Sequence, residues 1–487
     1  IYKKHCRAGV CTHLFSSPGE NPGPAGIQIP GYMSLLATGQ YLDAYRVMFR
    51  DNPFSGICGR ICTHPCEDRC RRATVDEAMA ICELKRFATD YAYGEGYPKA
   101  AELAPKADLD KKVAIIGAGP SGLTAGYYLA RLGYKVDVFE AEAVAGGVMT
   151  YGIPEYRLPK ALINHEIDLI KQAGVNIIFN TKVGRDITMD AIRDQYDAIY
   201  ISVGAQTAAR LNIEGEDLQG VYHGLDFLKR VALKGDLALT GQKVAVIGGG
   251  NTAIDSARTA LRLGAKEVKI LYRRDRSAMP ANDEEIQDAL AEGVIIETLV
   301  NPVRFIGENG KLQSIAIARQ ALHEFDNTGR RKARPIEGSI YTEDFDVAIP
   351  AVSQSPDTAF LAESGIDLHK GSCILADEYT MATSKPGVFA GGDAYRNPED
   401  VVHAIHDAKL AAAAIDEYLG GEGRLYKGPE IAISDYHIEG DVVIHDRFPK
   451  SHVPAAKAVQ CFCEVNLGMN KLDAEAEAKR CLRCDRR

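Results

Sequence analysis

No apolar run in this chain approaches the roughly 18 residues that a membrane-spanning helix needs, and no signal-peptide pattern opens it. Basic residues are not in excess: 57 Lys and Arg stand against 66 Asp and Glu, a formal net charge of −9. That balance leaves no electrostatic footprint for nucleic acid or an anionic lipid surface. Cysteine is missing from the whole centre of the chain. None of the twelve lies between Cys82 and Cys373, whereas seven fall in the first 82 residues and four in the last 27. Cysteines spread for disulfides would not leave such a gap. Clusters at C-x3-C spacing, in a chain without a secretion signal, read as metal ligation in a reducing cytosol, so the expected location is cytoplasmic. Cys373, alone in GSCILA, reads as a small buried apolar residue.

The remaining composition is that of an ordinary globular protein, with 46% hydrophobic and 25% charged residues. A length of 487 residues allows two to four domains. The first residue is Ile1 rather than Met, so the natural chain is expected to start earlier. Residues 1–95 are Cys-rich and expected to be helical between ligand loops, and 92–112 reads as a Gly-, Pro- and charge-rich linker. At Lys112 apolar strand runs begin to alternate with helix-length segments, the signature of βαβ units. The texture restarts at Lys243. The tail after 420 looks irregular until LDAEAEAKRCLRC, a helix ending in C-x2-C.

Two glycine fingerprints fall in this α/β region. The first is Gly117-Ala118-Gly119-Pro120-Ser121-Gly122, directly after a strand and before a helix. The first glycine permits the tight turn, the second lets the backbone approach a pyrophosphate, and the third lets helix and strand pack closely. Glu140 ends the next strand, where a carboxylate can hold ribose hydroxyls. The second is Gly248-Gly249-Gly250-Asn251-Thr252-Ala253, with Ala as an allowed third residue. Its following strand ends in Tyr272-Arg273-Arg274, with no acid where Glu140 stood. Two guanidiniums there can pair with a 2′-phosphate, which favours NADPH over NADH. The plainer alternative is a solvated or ion-paired strand end. Two dinucleotide folds in one chain suggest a flavin reductase, one fold for FAD and one delivering hydride.

Neither 146–159 nor 243–340 contains a cysteine. Electrons therefore cannot leave a flavin here through the dithiol that disulfide reductases place beside it. An iron–sulfur route remains. Cys58, Cys62, Cys66 and Cys70 follow at C-x3-C spacing, preceded by Cys6 and Cys11. Thiolates are the usual ligands of such clusters; zinc is the alternative for four close cysteines.

The runs NPFSGICGRICTHPCEDRC, GAGPSG, GGVMTYGIPEYRLPK, GGGNTAID, YRRDRSAMPA and VFAGGD stand in the order found in one family. In them the chain resembles the glutamate synthase small-subunit family of FAD and iron–sulfur NAD(P)H oxidoreductases, from Cys6 to Ala414. Ser353 in AVSQSPD departs from the usual Gly. The resemblance implies two Rossmann-like domains, the NAD(P)H domain (241–340) inserted in the FAD domain (112–240 and 341–420). An N-terminal cluster domain (1–95) precedes them and a Cys-rich tail (421–487) follows. It implies that Arg157, Gly147, Gly392 and Asp393 face FAD. It further implies two [4Fe–4S] clusters with interleaved ligands. The helix and C-x2-C with which relatives open do not precede Cys6. A similar run, AEAEAKRCLRC, stands at the other end. Cys481 and Cys484 are therefore expected to join Cys6 and Cys70 around one cluster, within one chain or from a neighbouring copy. Cys11, Cys62 and Cys66 would hold a flavin-proximal one. Some relatives use Gln as its fourth ligand; the nearest position here is Lys85, which cannot ligate as an ammonium, so Cys58 or Cys82 takes that place. The rival reading makes Cys461, Cys463, Cys481 and Cys484 a separate metal site.

The function expected is transfer of electrons between NAD(P)H and a partner redox subunit, within a multi-subunit or electron-bifurcating complex. Flavin accepts two electrons and releases them singly, which nicotinamide does not readily do. This chemistry demands no side-chain acid or base. A self-contained small-molecule reductase and a purely conducting scaffold are the two alternatives.

Overall fold

The structure is a computed structural model. It describes residues 25–484 apart from 327–328, 370–371, 427, 429–430 and 434–441. The first domain is helical, as the sequence predicts: α1 (Ile29–Ala37), α2 (Tyr41–Phe49), α3 (Ser55–Ile61), α4 (Pro65–Asp68), α5 (Ile81–Gly94) and a short α6 (Ala100–Leu103). Every residue of α1 is buried, because α2 covers one side and a C-terminal helix the other. Gly59 lets α3 lie against α5, since a β-carbon there would stand 2.8 Å from the Arg86 Cα. The buried carboxylate of Glu166, from the next domain, accepts the Gly56 and Ile57 N–H groups at 2.6 and 3.2 Å. That fills the open N-terminus of α3.

From Lys112 the chain alternates strands and helices: β1 (Lys112–Ile116), α7 (Pro120–Leu132), β2 (Lys135–Phe139), α8 (Val148–Tyr151), α9 (Lys160–Gln172), β3 (Val175–Ile178), α10 (Met189–Arg193) and β4 (Ala198–Ile201). The sheet is parallel and closes with a strand nearly 190 residues later, β15 (Val388–Ala390), in the order β15-β4-β1-β2-β3. Residues 113–116 and 198–201 are wholly buried, as strands covered on both faces must be. After β15, α14 (Asp393–Arg396) and α15 (Val401–Tyr418) return over α7.

Between β4 and β15 sits the second unit. A short ribbon, β5 (Thr207–Ala208) with β14 (Gln354–Ser355), joins the two crossings. Within it lie α11 (Gly224–Lys234), β6 (Lys243–Ile247), α12 (Asn251–Arg262), β7 (Glu267–Tyr272), α13 (Asp283–Ala291) and β8 (Ile295–Thr298). Its parallel sheet, β13-β6-β7-β8, takes its last strand from β13 (Val347–Pro350), beyond the expected boundary at 340. The intervening chain is antiparallel rather than βαβ: β9 (Val300–Glu308), β10 (Lys311–Phe325), β11 (Arg331–Pro335) and β12 (Tyr341–Asp344) all pair with β10 or lie along it. That four-stranded sheet carries the chain back to β13.

The C-terminal stretch straps the domains together. It holds a small hairpin, β16 (Ser451–His452) and β17 (Asn466–Gly468), with α16 (Ala455–Ala458) between, then α17 (Lys471–Lys479). Glu464 pairs with Arg60 and Arg86 of the first domain at 2.6 and 3.0 Å, and Arg262 of α12 donates to the Cys461 carbonyl at 3.0 Å. No helix among the described residues is long and apolar enough to cross a membrane.

Candidate functional site

The three domains meet at a cleft of about 1280 Å³, its open mouth included. Gly117, Gly119, Pro120, Ser121, Glu140, Gly147, Arg157 and Asp393 line it from the first α/β domain, Asn251, Thr252 and Asp255 from the second, and Ile61 and Thr63 from the helical domain. Gly117 holds φ +105, and a β-carbon there would reach 2.6 Å from the Ser202 carbonyl. One on Gly122 would stand 2.0 Å from the Gly117 carbonyl, so helix and strand touch through the missing side chain. Gly119 is different: nothing lies within 4 Å of where its β-carbon would be. The space over the first turn of α7 is open, as a pyrophosphate on that helix terminus requires.

Glu140 accepts the Ala118 and Glu142 N–H groups, each at 2.8 Å, which fixes it at the end of β2; burial pushes its carboxyl up. Asp393 begins α14 and accepts the Glu399 N–H at 3.1 Å. Burial pushes it up to about 6. Gly392, at φ +63, does not line the cleft; a β-carbon there would stand 2.9 Å from the Ser121 Cβ, so its bare backbone lets α14 dock on the first fingerprint. Arg157 lines the cleft, but its guanidinium donates to Asp255 at 2.7 Å and Glu285 at 2.9 Å across the domain boundary. It locks the two nucleotide domains together, a role that sequence alone does not show because its partners lie about a hundred residues away.

In the second fingerprint Gly248 at φ +147 packs against the Ala351 carbonyl, and Ala253 is fully buried in the helix–sheet contact. Gly250, the N-cap of α12, has only Pro280 near its missing side chain, at 3.9 Å. Asn251 accepts the Asn282 N–H at 3.1 Å. The two arginines part company. Arg273 is exposed and has no partner among the described residues. Arg274 is buried and committed, donating to the Arg331 carbonyl at 2.8 Å and to Asp326 at 3.0 Å. The expectation that both grip a 2′-phosphate narrows to Arg273, because β10 and β11 turn back over the strand end.

The cysteines form two groups. Cys70, Cys481 and Cys484 line one small cavity with Met33, Arg72 and Met79. The C-terminus thus returns to the helical domain within a single chain. Arg72 and Arg480 hold it there: Arg72 donates to the Arg480 carbonyl at 2.9 Å, and both guanidiniums pair with Asp76. Burial pushes the Cys481 thiol up to about 12 and raises Cys70. Cys58, Cys62, Cys66 and Cys82 gather around α3, α4 and α5, with the Cys82 thiol against the Cys58 and Gly59 carbonyls at 3.3 and 3.4 Å. Cys6 and Cys11 lie outside the described residues. Thiolates are the donor chemistry that iron–sulfur clusters take, and three of these cysteines share one cavity; among the described residues no three His, Cys, Asp or Glu side chains are gathered closely enough to hold a single metal ion. Cys461 and Cys463 are bonded to each other, and Cys481 and Cys484 sit with Cys70 instead.

Two family profiles match the chain: one described as pyridine nucleotide-disulphide oxidoreductase over residues 111–408, the other as dihydropyrimidine dehydrogenase domain II, 4Fe-4S cluster, over residues 3–97. The NADP(+)-dependent formate dehydrogenase subunit beta of Moorella thermoacetica is 41% identical, covering 95% of this chain and 70% of that protein. The NADPH-Fe(3+) oxidoreductase subunit beta of Geobacter sulfurreducens is 36% identical over 97% and 75%. The glutamate synthase [NADPH] small chain of Escherichia coli is 34% identical over 81% and 87%. Among solved structures, Mycobacterium tuberculosis FprA in complex with NADPH matches with TM-score 0.54 and 21% identity, covering 64% of this chain and 85% of that one. That likeness shows the fold alone. The chain belongs to the glutamate synthase small-subunit family and is an NAD(P)H-dependent oxidoreductase whose cofactors are FAD and [4Fe–4S] clusters.

Proposed function

We propose that this chain is the cytoplasmic subunit that moves electrons between NADPH and a redox partner subunit, in an assembly like those named for its relatives. One observation carries the reading. Ile61 and Thr63, the neighbours of Cys62, line the same cleft as Gly119 and Asn251, so a nicotinamide, a flavin and a cluster on Cys62 would meet there. Bound FAD would supply the exchange between a hydride and single electrons. Gly117, Gly119 and the start of α7 would hold its pyrophosphate, and Glu140 its ribose. Asn251 and Thr252 at the start of α12 would seat the nicotinamide nucleotide, with Arg273 on its 2′-phosphate. The Arg157 bridge to Asp255 and Glu285 would keep the two nucleotides in register. Cys62 and Cys66, with Cys11 and one of Cys58 or Cys82, would hold the cluster beside the cleft; Cys70, Cys481 and Cys484, with Cys6, the outer one. The helical domain would span 1–95, and the inserted nucleotide domain would run from 241 to the end of β13.

The test is Cys62→Ser in the full chain. Flavin reduction by NADPH should persist while reduction of a one-electron acceptor falls and about four iron atoms are lost. Equal one-electron turnover at wild-type iron content would sink the route.

A further inference from the structure

Cys461, Phe462, Cys463 and Glu464 are consecutive, and together they reach all three domains. Arg262 of α12 donates to the Cys461 carbonyl at 3.0 Å. Phe462 lies in a small apolar cluster with Tyr156 of the first α/β domain, and the Val465 N–H donates to the Tyr156 carbonyl at 2.9 Å. Glu464 carries the segment to the helical domain through its pairs with Arg60 and Arg86. The contact on Arg262 does not end there. Arg262 pairs with Glu292 at 2.6 Å, Glu292 with Arg258 at 2.7 Å, Arg258 with Glu285 at 2.6 Å, and Glu285 with Arg157 at 2.9 Å. That ladder is unbroken from the Cys461 carbonyl to the guanidinium that holds Asp255 across the domain boundary. The two sulfurs are bonded within this same segment, their Cα atoms 5.4 Å apart. A bond between residues i and i+2 closes a small ring, and ring closure holds a segment in its docked shape before it docks. Among the described residues Cys463 is the one exposed cysteine; Cys461 and the others are buried or half-buried. An external thiol therefore meets Cys463 first.

We propose that Cys461–Cys463 is a redox site addressed by small monothiols of the glutathione class, and that its state sets how firmly the two nucleotide domains are held in register. The proposal rests on the reading of the Arg157 bridge given above. An external thiolate attacks the Cys463 sulfur, the bond to Cys461 breaks, and Cys461 leaves as a thiolate that takes a proton from water. A second external thiolate displaces the first from Cys463, which is protonated in turn. The pair gains two electrons and two protons, and the two external thiols become one disulfide. Opening the ring returns backbone freedom to residues 461–463. That weakens the hold of the Cys461 carbonyl on Arg262 and of Glu464 on Arg60 and Arg86. The bonded state is the locked one.

The experiment holds the full chain, FAD and iron in place, without oxygen in glutathione buffers stepped from oxidised to reduced. At each step Cys461 and Cys463 are alkylated and read by mass spectrometry, and Kd for NADPH is taken from the rate of flavin reduction. The two cysteines should become alkylatable together as the buffer is reduced, and bond again on return. Kd for NADPH should rise about threefold or more along the same curve, since the backbone freedom of one residue is worth on the order of tenfold in an equilibrium. Iron and FAD should stay constant. The double variant Cys461→Ser with Cys463→Ser should show the reduced-state Kd in every buffer. A pair that stays bonded or stays open throughout overturns the proposal, as does a Kd that ignores its state or a redox response kept by the double variant. If the double variant loses its cofactors, the single change Cys463→Ala, which also cannot bond, takes its place under the same criteria. Arg157→Met run in parallel separates the two levels: a wild-type Kd there fails the bridge reading, not the chemistry of the pair, which alkylation reads by itself.

Discussion

Arg273 and Arg274 are adjacent, equally charged and, on the structure, opposite in role. Arg273 is exposed at the end of β7, the edge where the adenosine ribose of a bound nucleotide lies in this fold. A charge-assisted hydrogen bond contributes about 1.5–3 kcal/mol, and solvent around Arg273 puts its contact with a 2′-phosphate at the low end. Since about 1.4 kcal/mol is tenfold, Arg273→Ala should raise KM for NADPH about tenfold and leave KM for NADH nearly unchanged. Arg274→Ala removes two donors, one from the Arg331 carbonyl and one from Asp326. It should cost about 2–3 kcal/mol of stability, seen as a lower Tm, with little change in the NADPH-to-NADH ratio. The assay is steady-state reduction of a dye with each nucleotide, beside thermal unfolding. The division of labour is refuted if Arg274→Ala changes nucleotide preference as much as Arg273→Ala, or if Arg273→Ala weakens both nucleotides alike.

Two further outcomes are expected. Replacing Cys481 and Cys484 together by Ser keeps α17 and its contacts but removes two of three sulfurs from the cavity with Cys70; iron should fall by about four atoms per chain with FAD unchanged, and full iron would show that these thiols are not ligands. Glu166, pushed up to about 7 from 4.5 by burial, holds its proton more tightly folded than unfolded. Its contribution is therefore present in full below pH 4.5 and lost as the pH rises through 7, on the order of 3 kcal/mol at most. Chemical unfolding between pH 5 and 8 should show a flatter pH dependence for Glu166→Gln than for the wild type; parallel curves would show that Glu166 does not titrate there.

What could be read from the chain was what short-range geometry encodes. A glycine at φ +105 or +147, a carboxylate at the end of the following strand and a proline opening a helix are consequences of one tight turn, so Gly117, Gly248, Glu140 and Pro120 stand where their spacing put them. The pairing of the chain ends was legible for another reason: C-x2-C after a helix is a local unit, and Cys481 and Cys484 do reach Cys70. The misplacements are all long-range. Arg274 looks free in sequence because the hairpin that claims it lies some fifty residues on. The end of the second nucleotide domain was set too early because β9 to β12 interrupt its βαβ order before β13 completes the sheet. Arg157 faces the cleft, yet its charge is taken by Asp255 and Glu285 from the other domain. Residue type and spacing thus told where a glycine turn would leave the start of a helix open. They did not tell which guanidinium would stay unengaged, because that is decided by which carboxylates and carbonyls the tertiary fold brings within reach first.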